Sequence, residues 1–128
     1  MNMKVEFIIY VSDQESSTRF YTELLQLEPS LHVPGMTEFT LSPMCKFGIM
    51  PNHGMAKILQ DKTPHPSKGT GIPRCELYLF YAPLETHVQR ALTIGATIIQ
   101  PIEEKDWGDR VCYLSDLDGH IIALAEKI

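Results

Sequence analysis

Two glutamates carry the first chemical suggestion in this 128-residue sequence. Glu6 lies in Val5-Glu6-Phe7-Ile8-Ile9-Tyr10-Val11, and Glu76 opens Glu76-Leu77-Tyr78-Leu79-Phe80-Tyr81, 70 residues further on. Both runs are rich in β-branched and aromatic residues and predict strands. Alternation puts Glu6, Ile8 and Tyr10 on one face of the first, and Glu76, Tyr78 and Phe80 on one face of the second. A carboxylate among aromatics is what a polar handle in an apolar ligand wall looks like. Two readings of these acids stay open. In one, each pairs with a basic residue or faces solvent. In the other they form an acidic spot that raises one carboxyl pKa and suits a cationic or hydrogen-bond-donating ligand.

Trp107, flanked by Asp106, Gly108 and Asp109, reads as part of a loop that could lie over a cavity and stack on a planar ligand. The histidines His32, His53, His65, His87 and His120 show neither HxH nor HExxH spacing, so they nominate no metal centre. His87 in a predicted helix and His120 after a turn are expected to face solvent. There is no P-loop, GxGxxG or nucleophile elbow. Cys45, Cys75 and Cys112 are odd in number and form no CxxC pair, so a disulfide framework or zinc knuckle is not expected. They read as small buried apolar residues in a reducing cytoplasm, with Cys112 an unreactive buried thiol.

Composition bounds the rest. Apolar residues are 44% and charged residues 21%, as in a folded globular domain. Lys and Arg total 11 against 16 Asp and Glu, a net charge of −5 and a pI near 5.4. That balance argues against nucleic acid or an anionic membrane as a partner. Val5 to Val11 is too short and too polar to span a bilayer and lacks a signal-peptide cleavage site. A cytoplasmic protein is expected.

The elements that must position these residues follow from periodicity. Val5, Phe7, Ile9 and Val11 form a purely apolar face expected to bury against a helix. Ser12 or Asp13 caps that helix, Phe20, Tyr21, Leu24 and Leu25 supply its stripe, and Pro29 lies beyond its end. Strands are predicted at 38–41 and 46–50, joined by Ser42-Pro43. After a Pro- and Gly-rich connection, about residues 52–73, with one short strand or turn near 55–59, the pattern restarts. A strand at 76–81 precedes a helix opened by Pro83 and closed at Gly95. Strands follow at 97–100, 111–114 and 121–125, the last two joined by Asp116-Leu117-Asp118-Gly119. Both halves read β-α-β-β-β, an internal repeat.

That order, with Phe20-Tyr21-Thr22-Glu23-Leu24-Leu25-Gln26-Leu27 in the first helix, resembles the vicinal oxygen chelate superfamily. Its members include glyoxalase I, bleomycin-resistance proteins, fosfomycin-resistance enzymes and extradiol dioxygenases. Ile94-Gly95-Ala96 and Trp107-Gly108-Asp109-Arg110 are also similar to the family pattern. So is Asp116-Leu117-Asp118-Gly119-His120, where Leu117 stands in place of the usual proline. The resemblance covers about Val5 to Glu126. It implies an α+β fold, one domain of two βαβββ modules (about residues 4–51 and 74–127). It further implies that they form a cup-shaped, mostly antiparallel open barrel with the helices outside, and that the chain is a homodimer.

The resemblance also implies where a divalent ion would be held. Those four positions carry Glu6, Gly48 (or Met50 if the register slips by two), Glu76 and Ala123. Glycine and alanine offer no donor, so no metal and no other cofactor is expected. The expected function is small-ligand binding in the cup, of the bleomycin-resistance kind, through Glu6, Tyr10, Met50, Glu76, Tyr78 and Trp107. The alternative is a divalent-metal-dependent lyase, isomerase or dioxygenase with an altered ligand set. A dimeric interaction module with a vestigial cavity is the third reading. Fold membership does not by itself choose among them.

Overall fold

The computed structural model describes residues 3–128. They form an α+β fold of two compact units, one ending at Thr70 and the other spanning Gly71–Ile128. In the first, β1 (Val5–Val11) leads to α1 (Gln14–Leu25), then β2 (Leu31–Val33), β3 (Met36–Ser42) and β4 (Cys45–Pro51). After these come α2 (Asn52–Leu59) and two short 3₁₀ turns, Gln60–Lys62 and Pro66–Gly69. The second unit repeats the plan with β5 (Glu76–Phe80), α3 (Leu84–Thr93), β6 (Thr97–Glu104), β7 (Asp109–Ser115) and β8 (Ile121–Lys127). The sheet orders are β1-β4-β3-β2 and β5-β8-β7-β6. In each, the first strand runs parallel to the last and the remaining neighbours are antiparallel. The βαβββ repeat is therefore present as expected.

Each helix buries its apolar stripe on one side of its own sheet. Asp13 caps α1, its side chain accepting from the Glu15 and Ser16 N–H groups at 3.0 and 3.2 Å. Phe20, Tyr21, Leu24 and Leu25 are buried, and the Tyr21 ring packs 4.8 Å from Phe47, which stacks on Phe39. In the second unit Leu84, Val88 and Ala91 of α3 are buried, as are Leu114, Ile122 and Leu124 of the sheet. Glu126 fixes the start of α3 by accepting the Leu84 N–H, and Arg110 bridges Glu126 to Glu85.

Several local expectations are corrected. β1 buries only Ile9 and Val11 of its apolar face, while Val5 and Phe7 are 46% and 50% exposed. α1 packs on β4 and β3, and β1 is the edge strand, so its first half escapes the helix. Residues 52–59 form a helix where one short strand or turn is expected near 55–59, because Met55, Ile58 and Leu59 recur at helical spacing. β2 adds a third strand to the first module's run, and β6 continues past Pro101, which sits on an edge strand at a register shift.

His87 is buried and stacks on Tyr81 at 4.6 Å instead of facing solvent. His120 is half-buried against Asp116, with Nδ1 2.9 Å from Oδ2. Burial works to lower the His120 pKa, but the Asp116 and Asp118 carboxylates more than offset it, leaving the pKa raised. Cys112 is buried, but Cys75 is exposed and Cys45 half-buried, since both lie at strand ends beyond helix cover.

Candidate functional site

Because α1 takes one side of the first sheet, alternation leaves the even-numbered residues on the other. Register pairs Glu6 with Lys46, Ile8 with Gly48 and Tyr10 with Met50 across β1 and β4, and Glu38 with Gly48 across β3 and β4. Lys46 Nζ lies 3.4 Å from Glu38 Oε1. Glu38, on the strand beyond β4, shares this face with Glu6 and Lys46. Desolvation raises the Glu6 pKa first, and the neighbouring Glu38 carboxyl adds to that, against an opposing pull from Lys46.

Gly48 is the hub of this face. A Cβ built on it would stand 2.7 Å from Glu6 Oε2 and 2.9 Å from Met36 Cε. The Glu6 carboxyl thus lies across the space a side chain at position 48 would need. Glu6 here has a basic residue, Lys46, as its register partner and a second acid, Glu38, on the same face. At the β1/β3–β4 corner of the same face is a cavity of about 310 Å³, with Lys4, Glu6, Thr40, Ser42 and Lys46 among its lining.

The second sheet's free face has a different character. Val111, Ala123 and Ala125 are fully buried, with Tyr78 and Tyr113 packed against them. The Tyr78 hydroxyl donates to Asp109 Oδ2 at 2.6 Å and accepts from Trp107 Nε1 at 3.0 Å. Lys127 Nζ is 3.1 Å from Asp109 Oδ1 and 5.1 Å from the centre of the Phe80 ring, which packs beside Tyr78. Asp109 is 3% exposed. The Tyr78 bond, followed by Lys127, holds the Asp109 pKa below its ordinary range, whereas burial and Asp109 push the Tyr78 phenol up.

Of the six residues singled out in the sequence, Tyr10 and Met50 meet as register partners on the first sheet, with Glu6 on the same face. Tyr78 and Trp107 meet through their hydrogen bond in the second unit. Glu76 opens β5, exposed and paired in register with Ile121. Asp109, expected in a loop, begins β7 and is buried. Glu38, Lys46 and Lys127 were not singled out. Glu38 was recoverable from alternation against Phe39, but the contacts of Asp109 and Lys127 join strand ends far apart in sequence.

Of the four positions the resemblance assigns to a metal, Gly48 lies under the Glu6 carboxyl, and Ala123 is wholly buried. Among the described residues no group of three or more His, Cys, Asp or Glu side chains is placed to hold a metal ion. No helix among them is long and apolar enough to cross a membrane.

Residues 4–128 match the family model for a glyoxalase-like domain. An uncharacterized protein of Mycobacterium bovis is 26% identical over 123 residues, 94% of this chain and 80% of that one. Among solved structures, the chain is similar to a glyoxalase-related enzyme from Fulvimarina pelagi (TM-score 0.82, 18% identity, 99% of this chain and 89% of that one). It is also similar to a glyoxalase/bleomycin resistance protein/dioxygenase family enzyme from Burkholderia phytofirmans (TM-score 0.80, 15% identity, 96% and 97%). With its duplicated βαβββ modules, the chain belongs to the glyoxalase-like domain family of the vicinal oxygen chelate superfamily.

Proposed function

We propose that this protein binds a small organic molecule against the helix-free faces of its sheets, as a homodimer and without the family's metal ion. The observation that carries the reading is the Glu6 carboxyl lying over Gly48. The position that would project a ligand toward a divalent ion is instead the bed on which a neighbouring carboxyl rests. Ala123 likewise offers no donor and is wholly buried. A donor set of Glu6 and Glu76 alone does not fit a resident borderline transition ion. What those faces do offer is aromatic and thioether surface at Tyr10, Met50, Tyr78 and Trp107, with carboxyl groups to orient a ligand.

The dimer is supported by the exposure of Val5, Phe7 and Ile8 on edge strand β1 and of Phe80 on edge strand β5. Edges of this kind call for cover, and a second copy supplies it. Free thiols at all three cysteines suit a reducing compartment, and the cytoplasm is the one we assign.

Metal analysis of protein purified without chelators is the deciding test, together with light scattering and a thermal-shift screen of planar cations, catechols and α-hydroxythiol adducts. Substoichiometric metal, a dimer mass and a stabilising compound are expected. Near-stoichiometric nickel, zinc, manganese or iron that disappears in Glu6→Ala/Glu76→Ala protein would replace this reading with the metal-dependent enzyme. No stabilising compound at all would favour the interaction module.

A further inference from the structure

The corner cavity of the first unit has a surplus of hydrogen-bond donors that its fold does not use. Lys4, in its lining, takes part in none of the ion pairs or hydrogen bonds among the described residues. Ser42 Oγ accepts the Met44 N–H at 3.3 Å, which leaves its own O–H to donate. Thr40 differs, because its hydroxyl already donates to Ser30 at 3.0 Å. Lys46 is half exposed, and its ammonium reaches Glu38 only at 3.4 Å. Glu6 is the one acid in the lining, against two lysines, and its carboxyl lies over Gly48. Val5, Pro43 and Met44 complete the wall with apolar surface. Unused donors beside an apolar wall are complementary to an organic anion.

We propose that this cavity binds a small organic monocarboxylate, its carboxylate held by the Lys4 ammonium and the Ser42 hydroxyl and its apolar body against Val5, Pro43 and Met44. A volume of about 310 Å³ sets the ligand's size. At about 30 Å³ per water-sized atom it holds roughly ten non-hydrogen atoms, the size of an aromatic or branched aliphatic acid. The inference deepens the ligand-binding reading of this face and rests on it. Inorganic phosphate shares the anion chemistry but has nothing to place on the apolar wall.

Titration of the isotope-labelled 128-residue chain with benzoate, followed by amide chemical shifts, tests the assignment. Saturable movement is expected at Val5, Met44, Cys45 and Lys46. Lys4→Ala should weaken binding about tenfold, as losing one charge-assisted hydrogen bond does, and Ser42→Ala should weaken it about threefold. Lys4→Arg should retain most of the affinity. Both sites are exposed, so neither substitution threatens the fold. An unchanged Kd for Lys4→Ala, a preference for benzylamine, or equal binding of phosphate would each overturn the proposal. So would shifts scattered across the chain. None of these outcomes depends on metal content, so failure here and failure of the metal-free reading remain distinguishable.

Discussion

In the first module the helix-free face is organised around a glycine whose missing side chain makes room for the Glu6 carboxyl. In the second the corresponding face is organised around Val111, Ala123 and Ala125, which lie buried with Tyr78 and Tyr113 packed against them. One face carries two glutamates, Glu6 and Glu38, beside a lysine. The other carries a phenol, an indole and an ammonium arranged about a buried aspartate. The strand order, the strand directions and the packing of each helix on its sheet's last strand are nonetheless the same in both. Close packing against a helix constrains volume and shape residue by residue, whereas a face without a helix need only respect the pleat. The repeat is therefore strict in its topology and divergent in the polar groups of its helix-free faces.

That contrast can be broken most directly at the helix side, where the modules should behave alike. Phe47→Ala should cost about 3–5 kcal/mol and Leu124→Ala about 2–5 kcal/mol in urea unfolding, because both leave cavities in fully packed layers. A loss below about 1 kcal/mol for either would show that its module is not held by helix-side packing.

On the free faces the modules should diverge. Tyr78→Phe removes the donor to Asp109 Oδ2, leaving that carboxylate to Lys127, and takes away the acceptor of the Trp107 N–H, at a cost of about 1–2 kcal/mol. Trp107 is the sole tryptophan, so acrylamide quenching of its fluorescence should rise in the same variant. Unchanged quenching would mean that the hydrogen bond does not hold the indole.

A subtler difference lies in pH dependence, where the two carboxyl groups act with opposite sign. The Glu6 pKa is raised above its ordinary 4.5, so its contribution is fully present below that pH and is lost as pH rises through the raised value. The Asp109 pKa is lowered from 3.8, so its contribution is present above that pH and is lost as pH falls through the lowered value. Glu6→Gln should flatten the stability profile just above pH 4.5, and Asp109→Asn should flatten it below pH 3.8. Thermal melts across that range would show the two windows, and a swap between the variants would reverse the assignment.

The smallest effect belongs to Gly48→Ala, within about 1 kcal/mol of wild type. The two nearest atoms in its way are the ends of the flexible Glu6 and Met36 side chains, which can swing aside, while Ile8 Cγ1 at 3.1 Å need give only a few tenths of an ångström. Its signature should instead be a weaker pH window just above 4.5, since a displaced carboxyl is less desolvated and stands further from Glu38.

Periodicity was enough to read most of the fold. Alternation in Val5–Val11, the Asp13 cap and the stripe through Tyr21 and Leu24 are local signals, and each became the element it predicted. β2 escaped notice because three residues are too few to show a period, and α2 was hidden among the prolines and glycines around it. At the site, the meeting of Tyr10 with Met50 required only the correct pairing of two strands. Tyr78 meets Asp109 through the pairing of both their strands with β8, a relation no local window contains.

The order of residues by itself determined the duplicated βαβββ plan, the helix-side cores and the absence of a donor at positions 48 and 123. Those properties follow from side-chain period and atom type, which need no partner. Tertiary structure alone decided that Glu6 would lie across Gly48, that Asp109 would be buried beneath Tyr78, and that Lys4 and Ser42 would line one cavity. Such outcomes depend on register between distant strands, where a shift of one residue would send every side chain to the opposite face.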